Sequence, residues 1–450
     1  MREAGLPDIA IDTFAHYYER LRGGETGMLP EAEIEPVEDL PKADDLPAAG
    51  EEGRAALDRA IVLKLNGGLG TSMGMTKAKS LIEAKDGLSF LDITVRQVLG
   101  LRERHGARLP LLLMNSFATR DDTLAALERY PGLKADIPLD FVQGKVPKLL
   151  ADDLTPVRWE DNPEQEWAPP GHGDIYTSLV TSGTLETLLD AGYRYAFISN
   201  SDNLGAVLDP RFLAWFAREE LPFAMEVCER TEADRKGGHL ARRAGDGGLV
   251  LRETAQTPDE DLEQLQDIGR HRYVNTNNLW VDLRALGELL DRDDGVLGLP
   301  MIVNRKTVDP GDKSSPAVIQ LESAMGAAVG VFDGAAALHV SRRRFAPVKT
   351  TDDLLTVRSD AYVLTEESHV ELAPERQSPP FVDLDDDFYK LLRDFEERFS
   401  AGPPSLVGCE RLIVRGDVRF GSGVVVRGSV TVSAGDDGRR TIDDGTTLEG

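Results

Sequence analysis

The sequence predicts an α/β protein whose main domain is a mostly parallel sheet covered by helices. Three observations support this fold class. Apolar, strand-like runs alternate with helical patterns from about residue 58 onward. A glycine-rich turn follows the first of these strands, which is where such sheets bind ligands. Near the C-terminus an apolar residue recurs every sixth position, a period typical of a parallel β-helix.

The elements follow from the local pattern. Residues 9–22 have helical apolar spacing, whereas residues 23–52 are rich in Pro, Glu and Asp and predict an extended surface linker. Within the main domain, strands are predicted at 61–65, 110–115, 139–143, 194–199, 223–228, 248–253, 273–282 and 336–341. Helices are predicted at 91–105, 120–130, 175–191, 211–220 and 283–291.

The six-residue repeat runs through Leu412, Val418, Val424 and Val430, with glycines between the apolar positions. It favours a β-helix of three or four coils over the alternative, a short antiparallel meander. A helix at 383–398 is expected to lead into it. The predicted domains are therefore an N-terminal helix and acidic linker at 1–57, a main domain at 58–380 and a C-terminal domain at 381–450.

Composition excludes several classes of function. The net charge is −27, from 78 acidic and 51 basic residues, which argues against nucleic acid and anionic membranes as partners. A phosphate site must therefore be a local cluster of cations and backbone donors. The two cysteines, Cys228 and Cys409, have no zinc-ligand spacing. With no signal-peptide pattern at the N-terminus, we expect a cytoplasmic protein without a membrane partner.

The segment IVLKLNGGLGTSMGMTKAKS, residues 61–80, has the features of a polyphosphate site. Glycines allow backbone N–H groups to approach an anion, and Lys77 and Lys79 supply positive charge. It is not a dinucleotide fingerprint, because Met73 stands where a third glycine is required. It is not a Walker loop, because Ala78 precedes Lys79. The alternative is a connection that binds no ligand.

Two further segments place polar groups near that loop. In PPGHGD, His172 can donate to a phosphate or sugar oxygen, although Asp174 could be present simply to cap a helix. In FISNSDNL, Asp202 follows a strand at its carboxyl end, a common position for a carboxylate that holds Mg²⁺ beside phosphates.

Two more segments carry unusual polarity. Three asparagines within the strand-like run YVNTNNLWV suit sugar hydroxyls, and the alternative is an Asx-rich bulge. The run SRRRFAPVKTT concentrates four cations, Arg342, Arg343, Arg344 and Lys349, within an acidic chain. That concentration favours an anion site over a solvated basic face.

Taken in order, LNGGLGTSMG, PPGHGDIY, SNSDNLGA, MEVCERTEADRKGG, NTNNLW and RRRFAPVKTTDDLL resemble the motifs of eukaryotic-type UTP–glucose-1-phosphate uridylyltransferases over residues 58–365. The resemblance implies a GT-A-like, Rossmann-related nucleotidyltransferase domain followed by a left-handed parallel β-helix. It implies a Mg²⁺-dependent reaction in which UTP and glucose 1-phosphate give UDP-glucose and pyrophosphate.

The resemblance also implies roles for individual residues. Lys79 and Lys349 would be the catalytic lysines on the phosphates, and Asp202 would hold the metal. The nucleotide would contact Leu65, Asn66, Gly67, Gly68, Gln143 and Gly171, with Gln143 reading uracil. The sugar phosphate would contact His172, Asn200, Ser201, Asp202, Glu253 and Asn277. The chain departs from the family pattern after the glycine loop, where the first lysine of the usual CKGPKS run is displaced.

Other functions fit the same residues. A related enzyme could use another sugar 1-phosphate, such as galactose or N-acetylglucosamine 1-phosphate. A glycosyltransferase shares the nucleotide fold but releases no pyrophosphate, and a nucleotide-sugar sensor would bind without turnover. An acyltransferase is disfavoured by the small number of hexad coils. The sequence leaves the oligomeric state open.

Overall fold

The alternating strands form one large mixed sheet. A computed structural model describes residues 1–435 and 438–450. Across these residues the sheet contains ten strands. They are β1 (Ile34–Pro36), β2 (Ala60–Asn66), β3 (Leu111–Asn115), β4 (Asp140–Val142), β5 (Tyr195–Asn200), β6 (Phe223–Glu229), β7 (His239–Arg243), β8 (Leu249–Arg252), β9 (Tyr273–Asp282) and β10 (Ala336–His339).

The sheet order is β1-β7-β9-β5-β2-β3-β4, with β6 beside β9 and β10, and β8 beside β7. Strands β5, β2, β3 and β4 are parallel. Strand β9 is antiparallel to β5, β6 and β7. The predicted mixed sheet is confirmed, but it is mostly parallel only in the half formed by β5, β2, β3 and β4, since β6 and β10 are the one parallel pair among the remaining described strands of this sheet. Helices separate the successive strands β2 to β5, whereas β7 and β8 are joined by a short turn that allows antiparallel pairing.

Helices cover both faces of this sheet, as expected for an α/β core. Alternate residues of β2 enter different clusters. Ile61 and Leu63 pack on one face and Val62 on the other. The helices are α1 (Asp8–Arg22), α2 (Gly50–Leu57), α3 (Phe90–His105), α4 (Arg120–Leu127), α5 (Asp174–Thr181), α6 (Thr184–Asp190), α7 (Pro210–Arg218), α8 (Leu262–Gln266), α9 (Leu283–Arg292), α10 (Thr351–Arg358), α11 (Asp386–Tyr389) and α12 (Leu392–Arg398).

Every predicted strand of the main domain is confirmed, with small shifts at the ends. The helix predicted at 175–191 is two helices, because Gly183 has a φ of +71° and ends the first. The helix predicted at 383–398 starts later, because residue 384 still belongs to a strand, and residues 390–391 divide it into α11 and α12. The remaining strands are Glu83–Lys85, Leu88–Ser89, Val146–Pro147, Leu149–Leu150, Trp167–Ala168, Met301–Thr307, Ala317–Ser323, Tyr362–Leu364, Val370–Leu372, Phe381–Leu384, Cys409–Arg415, Val418–Phe420, Val425–Ser433, Arg440–Ile442 and Thr447–Glu449.

Residues 23–52 are not a free surface linker. Strand β1 pairs with β7 at the sheet edge, and Ile34 and Val37 are buried. Glu31 accepts hydrogen bonds from Arg252, at 2.7 Å, and from Arg270, also at 2.7 Å. The prediction was wrong because these partners are more than 200 residues away along the chain.

In the C-terminal region the apolar repeat pairs short strands in parallel. Leu412 lies opposite Val430, and Val426 lies opposite Leu448. The antiparallel meander is therefore wrong, because each pair of neighbouring strands here runs in the same direction. Whether these strands wind as a β-helix stays a prediction.

Within the residues that the structure describes, no helix combines the length and apolarity needed to cross a membrane.

Candidate active site

A cleft opens at the carboxyl ends of the parallel strands. Leu65 of β2 lies opposite Asn200 of β5, so the loops that follow these strands start side by side. The cavity has a volume of about 320 Å³. It is lined by Leu65, Gly67, Gly68, Lys79, Met114, Gln143, Pro169, Gly171, His172, Asn200, Ser201 and Asp202. Ten of the predicted site residues therefore meet here, although they come from five separate segments.

The glycine loop folds tightly between β2 and Lys79. The N–H of Lys79 donates to the Gly68 carbonyl at 3.0 Å, which brings this lysine back over the loop. A β-carbon on Gly67 would lie 2.4 Å from Oε1 of Gln143, so that position tolerates only glycine while Gln143 stays in place. Lys77, by contrast, is exposed and does not line the cleft.

Asn66 differs from its prediction as a nucleotide ligand, because its side chain is buried. Its Nδ2 donates to Oδ1 of Asn115 at 2.8 Å and to Oγ1 of Thr123 at 2.9 Å. The side chain therefore anchors the start of the loop, and contact with a ligand would have to come from the backbone. Asparagine suits this position because a buried amide needs partners for its polar atoms.

Asp202 and Lys79 form an ion pair inside the cleft. Nζ of Lys79 lies 2.8 Å from Oδ2 of Asp202, and both side chains are largely shielded. The second oxygen, Oδ1, is buried without a hydrogen-bond partner. A free carboxylate oxygen beside the glycine loop fits a Mg²⁺ ligand. Among residues 1–435 and 438–450, no group of three or more His, Cys, Asp or Glu side chains could hold a metal. Substrate phosphates would therefore have to complete the coordination.

His172 is held in one orientation. Its Nδ1 accepts a hydrogen bond from the Met325 N–H at 2.9 Å, and burial lowers the pKa of its imidazole to about 4. The ring is neutral at physiological pH, with its proton on Nε2, and Nε2 is then available as a donor. Gly171 precedes it with a φ of +80°, and a β-carbon there would lie 2.4 Å from the Ser323 carbonyl oxygen.

Asp174 is not the helix cap that its position suggested. It is the first residue of α5, and its Oδ2 accepts from the Gly144 N–H at 2.6 Å. The same oxygen accepts from Oγ of Ser178 at 2.6 Å. Asp174 therefore fixes the chain just after Gln143 and helps to shape that side of the cleft.

Asn277 and Glu253 lie outside the residues that line the cleft. The strand pairing shifts by two positions between Glu226 and Val227, and Asn277 sits in the resulting bulge with a φ of +56°. Its Oδ1 accepts from Nδ2 of Asn275 at 2.9 Å, so the Asx-rich bulge is present. Burial raises the pKa of Glu253, and the positive charge of Lys349 opposes that rise.

Lys349 follows a segment bound to the Asp202 loop. The Val348 N–H donates to the Asp202 carbonyl at 3.1 Å, and Asn203 forms a bridge with Pro347. The side chain of Lys349 is exposed and outside the cleft lining. The backbone thus places both predicted lysines next to Asp202, although they are 270 residues apart in the sequence.

Two arginines of the run 342–344 form internal ion pairs. Arg344 forms a bidentate ion pair with buried Glu226, with both N–O distances at 2.7 Å. Arg342 pairs with Asp234 at 2.7 Å. The anion-site prediction is therefore wrong for Arg342 and Arg344, whose carboxylate partners come from remote segments, and stays a prediction for Lys349.

The cleft and the mixed α/β fold together define a nucleotidyltransferase-type enzyme: a glycine loop, a lysine and a strand-end carboxylate meet where such sheets bind nucleotides. Comparison with known proteins gives the family. The family model described as UTP–glucose-1-phosphate uridylyltransferase matches residues 11–427. The chain belongs to this family.

Individual relatives agree over nearly the whole chain. The chain is 43% identical to the UTP–glucose-1-phosphate uridylyltransferase of Solanum tuberosum, covering 92% of this chain and 84% of the relative. Its fold is similar to Leishmania major UDP-glucose pyrophosphorylase in complex with UDP-glucose, in a variant form, with a TM-score of 0.94 at 46% identity over 100% of this chain and 96% of that one. The corresponding Trypanosoma brucei structure has a TM-score of 0.92 at 47% identity, with 100% and 96% covered.

Sequence reasoning missed several residues that build this site. Met114 lines the cleft but carries no chemical signal in the sequence, whereas Pro169 belongs to the PPGHGD segment that the sequence had already singled out. Lys64 on β2 and Glu226 on β6 are buried charged residues that hold segments of the cleft in place. Each stands in an apolar strand run, and that contrast was the available signal.

Proposed function

We propose that this chain catalyses the formation of UDP-glucose and pyrophosphate from UTP and glucose 1-phosphate. The observation that carries the proposal is the Lys79–Asp202 pair, held where the glycine loop and the end of β5 meet. The named relatives support the choice of reaction, since they are uridylyltransferases for glucose 1-phosphate.

The uridine end of UTP would occupy the part of the cleft between the glycine loop and Gln143. The amide of Gln143 can pair with a carbonyl and the N–H of uracil. Gly67 and Gly171 line this part of the cleft, and a β-carbon on either would collide with Gln143 or with the Ser323 backbone. Leu65 and Gly68 would contribute backbone and apolar contacts along the same wall.

The chemistry needs no protein nucleophile. An oxygen of the sugar 1-phosphate attacks the α-phosphorus of UTP, the bond from that phosphorus to the β-phosphate oxygen breaks, and pyrophosphate leaves. The protein positions the two anions and neutralises their charge. Lys79 would contact the phosphates of UTP, and Lys349 would hold the second phosphate from the other side of Asp202.

Asp202 would hold Mg²⁺ through its unpartnered oxygen, with Asn200 and Ser201 beside it. Bound there, the metal would supply positive charge at the phosphate oxygens. When substrate binds, Lys79 can leave Asp202 for the triphosphate. The Lys79 ammonium then takes the phosphates as its partner in place of Asp202, and the Asp202 carboxylate takes the metal as its partner in place of Lys79.

The sugar would lie toward His172, Asn277 and Glu253. The Nε2–H of His172 is oriented as a donor, and a carboxylate and an amide suit sugar hydroxyls.

We also propose that the C-terminal strands wind as a left-handed β-helix, supported by their parallel pairing. A cytoplasmic location is proposed as well, supported by two buried, unpaired cysteines.

The direct test is pyrophosphate release by the purified chain with Mg²⁺, UTP and a panel of sugar 1-phosphates. We expect turnover with glucose 1-phosphate and lower kcat/KM with the galactose and N-acetylglucosamine compounds. Binding of UTP without pyrophosphate would identify a sensor. Consumption of UDP-glucose without pyrophosphate exchange would identify a glycosyltransferase.

The same assay with ATP in place of UTP tests the base site. A site built to hydrogen-bond uracil leaves its own groups unpaired with adenine, so we expect a preference for UTP of about 10⁴-fold or more in kcat/KM. Gln143→Ala should lower that ratio, while Gln165→Ala, outside the residues that line the cleft, should not. Equal use of both nucleotides by the unsubstituted protein would contradict the assignment of Gln143.

A further inference from the structure

Lys64 is a buried cation directly beneath the cleft. It lies on β2, with 2% of its surface exposed, one residue before Leu65 of the cleft wall. Its Nζ donates to Oγ of Ser199 at 2.8 Å and to the Ala206 carbonyl at 2.8 Å. Both acceptors are neutral, so this ammonium is not buried as half of a hydrogen-bonded ion pair.

The two acceptors lie at opposite ends of one loop. Ser199 is near the end of β5, opposite Lys64 in the parallel pairing, and Ala206 is where the chain turns toward α7. Between them lie Asn200, Ser201 and Asp202, the polar residues of the cleft. One side chain therefore joins the start and the end of the loop that carries Asp202.

Burying an ammonium group in this way is costly. Burial lowers the pKa of Lys64 to about 7, with the positive charge of Arg344 acting in the same direction. The carboxylates of Asp202 and Glu226 oppose that shift, so the charge of Lys64 interacts with Asp202 as well as with the loop backbone. An apolar side chain would fill the same space without this desolvation cost. The position therefore calls for a role beyond packing.

We infer that Lys64 is a positioning residue that clamps the 199–206 loop, so that Asp202 is held in the geometry needed for phosphoryl transfer. The inference rests on the proposed function, because that function gives Asp202 its role. Small displacements of a reacting group reduce rates steeply. The clamp acts on catalysis through the loop and makes no contact with substrate.

The test is Lys64→Met, which keeps most of the volume and removes the donor. The matched control is Lys85→Met. Lys85 is also a buried lysine whose Nζ donates to a backbone carbonyl, that of Ser359 at 2.5 Å, but it lies outside the cleft. We expect both variants to lose thermal stability to a similar extent. Only Lys64→Met should lose about 10- to 100-fold in kcat and need more Mg²⁺ for half-maximal rate, with the KM for UTP little changed.

Hydrogen exchange supplies a readout that does not depend on activity. The Ser201 N–H is bonded to the Leu65 carbonyl at 3.2 Å, and the Ala206 N–H to the Asn203 carbonyl at 3.2 Å. Release of the clamp should make these amides exchange about tenfold faster or more, without a change in α9 on the opposite face of the sheet. Lys85→Met should leave them unchanged.

Ser199→Ala removes one acceptor and keeps Lys64, so it tests the clamp even if Lys64→Met does not fold. It should shift the same amides by a smaller factor. Lys64→Met with unchanged kcat and unchanged loop exchange would overturn the inference. If the unsubstituted chain released no pyrophosphate, the proposed function would fail, and the exchange experiment would still show whether Lys64 clamps the loop.

Discussion

Asp202→Asn is expected to lower kcat on the order of 10²- to 10³-fold. The substitution keeps the shape of the side chain but removes the charge that would hold Mg²⁺ and that now pairs with Lys79 at 2.8 Å. Rates should be measured at saturating UTP and glucose 1-phosphate over a range of Mg²⁺ concentrations. We expect the Mg²⁺ concentration for half-maximal rate to rise as well, since an amide oxygen is a weaker ligand than a carboxylate.

Asp140→Asn is the matched control for this prediction. Asp140 is also a shielded carboxylate of the same sheet, at the start of β4 and paired with Arg120 at 2.7 Å, but it does not line the cleft. Its substitution should leave kcat and the Mg²⁺ dependence close to those of the unsubstituted chain. If Asp202→Asn behaved like the control, Asp202 would not be a metal ligand, and the site would have to be assigned elsewhere.

Glu226→Ala is expected to reduce the free energy of unfolding by about 3–5 kcal/mol. Glu226 is fully buried and accepts hydrogen bonds from Nε and Nη2 of Arg344. It also accepts from Nε1 of Trp280 and from Nδ2 of Asn278, at 3.0 Å each. Truncation removes the carboxylate that neutralises the Arg344 guanidinium, which is itself largely shielded from solvent. Urea unfolding followed by tryptophan fluorescence and by far-UV circular dichroism measures the change.

The neighbouring carboxylate on the same strand gives the control. Glu229 pairs with Arg272 at 3.1 Å, but both side chains are about half exposed, so Glu229→Ala should cost at most about 1 kcal/mol. Replacing both members of the buried pair, as Glu226→Met with Arg344→Met, should recover part of the loss. Equal effects of Glu226→Ala and Glu229→Ala would show that the buried pair contributes no more than a surface one.

This buried network also supports the cleft. The Arg344 carbonyl accepts from Nδ2 of Asn203 at 3.0 Å, and Asn203 directly follows Asp202. Oδ1 of Asn203 accepts in turn from the Ala346 N–H at 3.1 Å. The arginine run that suggested an anion site therefore contributes to function indirectly, by fixing the segment on which Asp202 and Lys349 are mounted.

The parts of the molecule that sequence predicted are those defined by local patterns. Apolar runs located the strands of the main domain, and the rule that ligands bind at their carboxyl ends placed Gly67, Lys79 and Asp202 together. The direction of β9 was not predictable in this way, because periodicity identifies a strand but not its partner. The domain boundaries at 57 and 380 stay predictions.

The misses share one physical cause, which is contact between residues far apart in the chain. Arg344 is 118 residues from Glu226, and Glu31 is 221 residues from Arg252. Composition shows a cation or an acid at each position, but only the fold shows that they neutralise each other. Asn66 shows the same kind of contact: its amide turns to Asn115 in the next strand, so its predicted contact with the nucleotide would have to come from the backbone.

The central claim is that Lys79, Asp202 and Lys349 act on the same phosphates. A crystal structure of the chain with UDP-glucose bound tests it most directly. We expect the uracil at Gln143 and both ammonium groups within about 3 Å of oxygens of the bound diphosphate or of a phosphate ion beside it. A ligand seated away from Asp202, or a Lys349 ammonium turned to bulk solvent in the complex, would contradict the account.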